Sequence, residues 1–144
     1  MIGMRLSDAK RAFFDAPQVL AATTAAERRV LSRFGAYVRQ RARTSIRSRA
    51  GTSTPGMPPF SHTGSLKRFL FFAYDTSRQS VVIGPVRLDG RTGEALPLLE
   101  HGGTTQRPRP GRVDPSTYTP RPFMRPAFQR ELSKLPPLWR DSIR

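Results

Sequence analysis

Residues 18–48 read QVLAATTAAERRVLSRFGAYVRQRARTSIRS, and this stretch sets the architecture. Val19, Ala22, Ala26, Val30, Phe34, Val38, Ala42 and Ile46 recur every three or four residues, with Leu31 and Tyr37 beside them. An α-helix gathers such positions on one face, whereas a half-buried strand requires alternation. The opposite side is largely arginine. Pro17 suits the first helical turn, where its missing N–H costs nothing. The pattern therefore predicts a helix over 17–48, from Gln18 to about Ser48. Gly35 weakens its middle by roughly 1 kcal/mol relative to Ala, a cost that points to close packing at that point.

Upstream, Leu6 to Phe14 reads as a short amphipathic helix or arm within 1–16. Downstream, residues 50–65 are rich in Gly, Ser, Thr and Pro and read as an extended loop. Leu66 to Tyr74 is a strand candidate with Leu66, Leu70, Phe72 and Tyr74 on one face and Phe69, Phe71 and Ala73 on the other. A polar turn over 75–79 joins it to Ser80–Pro85, which makes a hairpin. Residues 86–93 read as a loop, and Ala95 to Glu100 as a short helix or strand ending at His101, Gly102 and Gly103. Residues 66–103 thus form a hairpin-and-sheet block. Pro108, Pro110, Pro115 and Pro120 make 104–120 an extended arm. Over 121–144 a C-terminal helix is expected from Pro122, turning Phe123, Ala127, Phe128, Leu132 and Leu135 inward. Pro136 and Pro137 would break it, and a final turn with Leu138, Trp139 and Ile143 would close the chain. The sum is a single α+β domain: a long N-terminal helix and a C-terminal helix packed on a small antiparallel sheet, with extended Pro/Gly-rich arms.

The 144 residues suit one modest core. There is no cysteine, which excludes a disulfide framework, a thiolate zinc site and a cysteine nucleophile. No apolar run reaches the length of a membrane span, and Asp8, Lys10 and Arg11 interrupt the N-terminus too early for a signal peptide. A soluble protein, intracellular when made, is expected. The formal net charge is +15. From Arg28 to Tyr74 the chain holds ten basic residues and no Asp or Glu, so two thirds of the excess lies in one third of the chain. Such a field favours proximity to DNA or contact with acidic neighbouring subunits, set against the plainer reading of a solvated helix face.

Candidate chemistry is sparse. His62 and His101 are the two histidines, and Ser61-His62 and Glu100-His101 pair adjacent side chains, which do not normally face each other. Neither pair sits in a nucleophile elbow, and two histidines with scattered carboxylates do not make a zinc site. Gly102-Gly103 lacks the Lys-Ser/Thr that follows a phosphate-cradling loop. Lys67-Arg68-Phe69 and Phe71-Phe72 interleave charge and aromatics as single-strand binders do, but in a short hairpin those rings belong to the core. No catalytic residue, metal or cofactor is expected. His62 reads as a loop hydrogen-bonding residue beside Thr63 and Gly64.

Four segments together resemble the tail-completion or minor tail-component family of long-tailed phages, encoded between head-closure and tail-terminator genes. They are Ser61-His62-Thr63-Gly64-Ser65-Leu66-Lys67-Arg68, Val81-Val82-Ile83-Gly84-Pro85, Leu98-Leu99-Glu100-His101-Gly102-Gly103, and Arg121-Pro122-Phe123-Met124-Arg125-Pro126-Ala127. The likeness runs from about Val30 to Trp139. It implies a non-enzymatic virion subunit, assembled in the host cytoplasm and placed at the head–tail junction (the neck). Its implied partners are copies of itself, neighbouring neck and tail proteins, and nonspecifically contacted DNA, with no membrane. Physically the motifs read as scaffolding. Thr63-Gly64 turns the loop, Gly102-Gly103 adopts backbone conformations closed to other residues, and Pro122-Phe123 opens the last helix. Charge and composition single out Arg39, Arg43 and Arg47, with the arm around Pro108 to Pro115, as interface residues. A tail terminator or head-closure subunit, or a free-standing basic nucleic-acid-binding protein, is the alternative.

Overall fold

Ala26, Val30, Phe34, Val38 and Ala42, four residues apart, are all buried, and they define the inner stripe of helix α1, Ala16–Ser45. The computed structural model describes residues 16–86, 95–109 and 112–142. The expected Leu6–Phe14 helix, most of the 86–93 loop and Ile143 lie outside these residues. Ile46 follows the helix and is fully buried. Val19 and Ala22, expected on the inner face, are exposed instead. The reason is length: thirty helical residues span about 45 Å, whereas a six-residue strand spans about 20 Å. The first turns of α1 therefore overhang the layer it packs on.

That layer is a two-stranded antiparallel hairpin, β1 (Leu70–Asp75) and β2 (Ser80–Pro85), in register from Leu70↔Pro85 to Asp75↔Ser80. Asp75 Oδ1 closes the turn by accepting from Ser77 N, Ser77 Oγ and Arg78 N. The Ser77 hydroxyl chiefly, with these backbone amides, holds the Asp75 carboxyl below its ordinary pKa. Gly35 sits where α1 crosses the hairpin. A Cβ there would lie 2.7 Å from Val81 Cγ2 and 3.0 Å from Phe72 Cδ2, so only glycine permits this approach.

The strand begins four residues later than expected. Ser65–Arg68 is a helical turn, α2, which follows Gly64 in the left-handed region at φ 72°. Thr63 Oγ1 lies 2.7 Å from Ser65 Oγ and accepts from Ser65 N, and this local network favours a turn over extended chain. Leu66 thereby packs against the core that holds Leu70 and Phe34.

Ala95–His101 is a helix, α3. Residues 104–120 are largely not an unpaired arm: β3 (Gly103–Arg109) and β4 (Arg112–Tyr118) form a second antiparallel ribbon. Pairing supplies backbone hydrogen bonds that an extended arm would lose. Pro108 and Pro115 are accommodated because each strand of a two-stranded ribbon keeps one free edge.

The C-terminal region is segmented. Helix α4 (Met124–Glu131) runs into a 3-10 turn, Leu132–Lys134, and then α5 (Leu135–Arg140). Pro136 and Pro137 start α5 instead of ending a helix, since the first turn needs no N–H from them. Phe123, Ala127 and Glu131 share the buried face at four-residue spacing. Phe128 and Leu132 lie on the flank, 43% and 45% exposed, against expectation. Phe128 still meets Phe34 edge-on, with ring centroids 5.7 Å apart. The core joins Phe34, Val38, Ala42, Ile46, Leu70, Phe123 and Ala127. The fold is α+β, with two small sheets where one was expected.

Candidate functional site

Helix α4 opens with Phe123, Met124 and Arg125, and none of these side chains caps it. Its first N–H groups need acceptors from elsewhere. Glu100, in the last turn of α3, supplies both carboxylate oxygens. Oε2 accepts from Phe123 N at 3.0 Å and Met124 N at 3.1 Å, while Oε1 accepts from Arg125 N at 2.7 Å. A negative charge at a helix N-terminus also favours the helix dipole. One more link ties the same segments, Arg121 N donating to Leu99 O, while Gly102 N donates to Leu98 O and closes the end of α3. Gly102 and Gly103 have φ 72° and 137°, which steer the chain from α3 into β3. In sequence Glu100 reads as the neighbour of His101 and as part of the family-like Leu98–Gly103 segment, with no capping role. A helix start without a local cap, in a chain with ten acidic residues, was the signal that could have exposed its role.

Glu131 is the other carboxylate missed from sequence. It is 2% exposed and receives Arg41 Nε at 2.6 Å and Lys134 Nζ at 2.5 Å. The Lys134 ammonium, seconded by Arg41, lowers its pKa against the opposing effect of burial. Lys134 also lies 4.8 Å from the centre of the Tyr37 ring, and Arg33 Nε donates to Tyr37 Oη.

The three arginines singled out from sequence do not form one stripe. Arg39 Nε donates to Leu70 O at 2.6 Å and its guanidinium stands 5.8 Å from the Phe71 ring centre, so it latches α1 to the hairpin. Arg43 is half-buried in the last turn of α1, where a cation suits the helix C-terminus. Arg47 lies past the helix end, on a parallel bridge to Phe60. It is exposed, and its carbonyl accepts from Ser61 N.

That bridge anchors the loop over 51–62. His62 Nε2 lies 2.8 Å from Gly51 O, Gly56 N donates to Pro120 O, and Arg121 Nε donates to Ser53 O at 3.0 Å. Thr63 and Gly64 make the turn described above, Pro122 is half-buried, and Phe123 is core. Between the loop and α4 lies a cleft of about 530 Å³. Arg41, Arg47 and Arg130, all exposed, stand around it.

Among the described residues no group of three or more His, Asp or Glu is placed to hold a metal ion, and no helix is long and apolar enough to cross a membrane. His62 and His101 belong to separate elements, one in the loop and one ending α3. No protein-family model, curated protein or solved structure matches this chain.

Proposed function

We propose that this protein is a structural subunit of a tailed-phage virion, a tail-completion component at the head–tail junction that helps join the tail to the DNA-filled head. The observation that carries the reading is the link between two of the four family-like segments. Glu100 of one accepts from three successive backbone N–H groups of the other. The residues that carry the resemblance thus act on one another as scaffolding, which is the work expected of an assembly subunit.

The β3–β4 ribbon agrees with that role. It pairs with no third strand among the described residues, and Thr104, Gln106, Val113 and Thr117 are exposed. A lone two-stranded hairpin is marginal in water, so a neighbouring copy or ring would stabilise it. In this reading the ribbon reaches an adjacent subunit while the arginine-rich surface faces DNA or acidic rings. Assembly, not catalysis, is the mechanism.

Deletion of the gene in the parent phage, followed by lysis and negative-stain electron microscopy, tests this. DNA-filled heads beside unattached tails of normal length are expected. Overlong tails would indicate a terminator, and leaking, emptied heads would indicate head closure. Normal infectious particles would overturn the structural role and favour a free-standing nucleic-acid binder, whose affinity would fall by decades over a few-fold rise in salt.

A further inference from the structure

We infer that the cleft between the 53–60 loop and α4 is a docking site for an acidic peptide segment of a partner protein, one carrying an apolar residue among its carboxylates. Three features define this chemistry. Met57, Pro58, Phe60 and Pro126 supply apolar lining above buried Phe123, a surface suited to a side chain and not to a phosphate. Arg47 and Arg130 flank it, beside an Arg41 whose charge is shared with Glu131, and no Asp or Glu is among the lining residues. Glu131, the nearby carboxylate, is already engaged by Arg41 and Lys134. The arrangement complements a segment that is acidic outside and apolar at one point.

The third feature is Ser53. It lines the cleft, is 5% exposed, and its hydroxyl has no partner among the described residues. A buried hydroxyl without a partner is uncommon, and a carbonyl or carboxylate entering from the cleft would satisfy it. The walls are also held in advance. Ser61 N–Arg47 O, Gly56 N–Pro120 O and Arg121 Nε–Ser53 O fix the loop at both ends and in its middle. Little ordering is left for the ligand to drive, which favours binding. The chemistry of the cleft is the same whether or not the chain works in a virion.

The test titrates the full chain, ¹⁵N-labelled, with an acetylated peptide that alternates Asp or Glu with Leu, Phe or Pro. The matched Asn/Gln peptide and a short oligothymidylate serve as comparison probes. Saturable shifts at the Thr54, Gly56, Phe60 and Ala127 amides are expected with the acidic peptide alone. The double variant Arg47→Glu, Arg130→Glu should weaken binding by at least about tenfold, through lost attraction and added repulsion. Both side chains are exposed, so the variant keeps the fold, which its own spectrum verifies. Absent shifts, equal binding of the neutral peptide, or an unaffected double variant would overturn the inference. Stronger binding of the oligothymidylate at the same amides would overturn it in favour of nucleic acid.

Discussion

Glu100→Ala removes the acceptor of three backbone N–H groups at the start of α4. Loss of a helix cap costs about 0.5–2 kcal/mol, and loss of a negative charge at the helix N-terminus about 0.3–1 kcal/mol. Two of the three N–H groups are part-buried, so water replaces the carboxylate poorly. Together these place the cost near 2 kcal/mol. At about 2.1 cal/mol/K per residue, 144 residues lose roughly 0.3 kcal/mol per degree, so Tm should fall by about 7 °C. Urea denaturation followed by far-UV circular dichroism gives the free energy directly, with an unchanged slope if only stability is altered. Glu100→Gln keeps one acceptor oxygen and should lose about half as much. His101→Ala, one residue on and exposed, is the control and should stay within about 0.5 kcal/mol. A Glu100→Ala protein within about 0.5 kcal/mol of wild type, or a control that falls equally far, would refute the capping role.

Other outcomes follow from the same geometry. Glu131 has a lowered pKa in the fold, so its contribution is complete above its ordinary value of 4.5 and is lost as pH falls through the lower, folded value. Acid titration of stability should therefore be shallower in Glu131→Gln. At neutral pH that variant should be less stable by about 1–3 kcal/mol, below the usual cost of breaking a buried pair because Arg41 and Lys134 are half-exposed. Gly35→Ala should destabilise by about 1–3 kcal/mol despite better helix propensity, because its Cβ meets Val81 and Phe72; thermal melting reads the sign. Gly103→Ala should cost about 1–2 kcal/mol from its φ of 137° and the Leu98 contact at 3.0 Å, read by the same melt. Replacing 104–117 with a short turn should leave the melting of the α1 core nearly unchanged while abolishing head–tail joining in complemented phage.

The long helix was legible because four-residue spacing is a local property, and every position from Ala26 to Ile46 on that spacing is buried. The first hairpin was legible from its β-rich runs and polar turn. The α+β class followed from the order of these elements. Gly35 and Gly102-Gly103 could be flagged because glycine carries a backbone cost that needs a reason. Tertiary structure alone decided the remainder. Whether 104–120 pairs with itself depends on a register between segments, which proline content obscures when each strand has a free edge. Whether Phe128 or Glu131 turns inward depends on what faces them: α1 brings Arg41 beside Glu131, and that ion pair makes burial of the carboxylate tolerable. The roles of Arg39 and Glu100 were hidden for the same reason, since their hydrogen-bond partners lie 31 and 23 to 25 residues away. Periodicity reports what one element does with its own neighbours in sequence; partners brought together by folding leave no spacing to read.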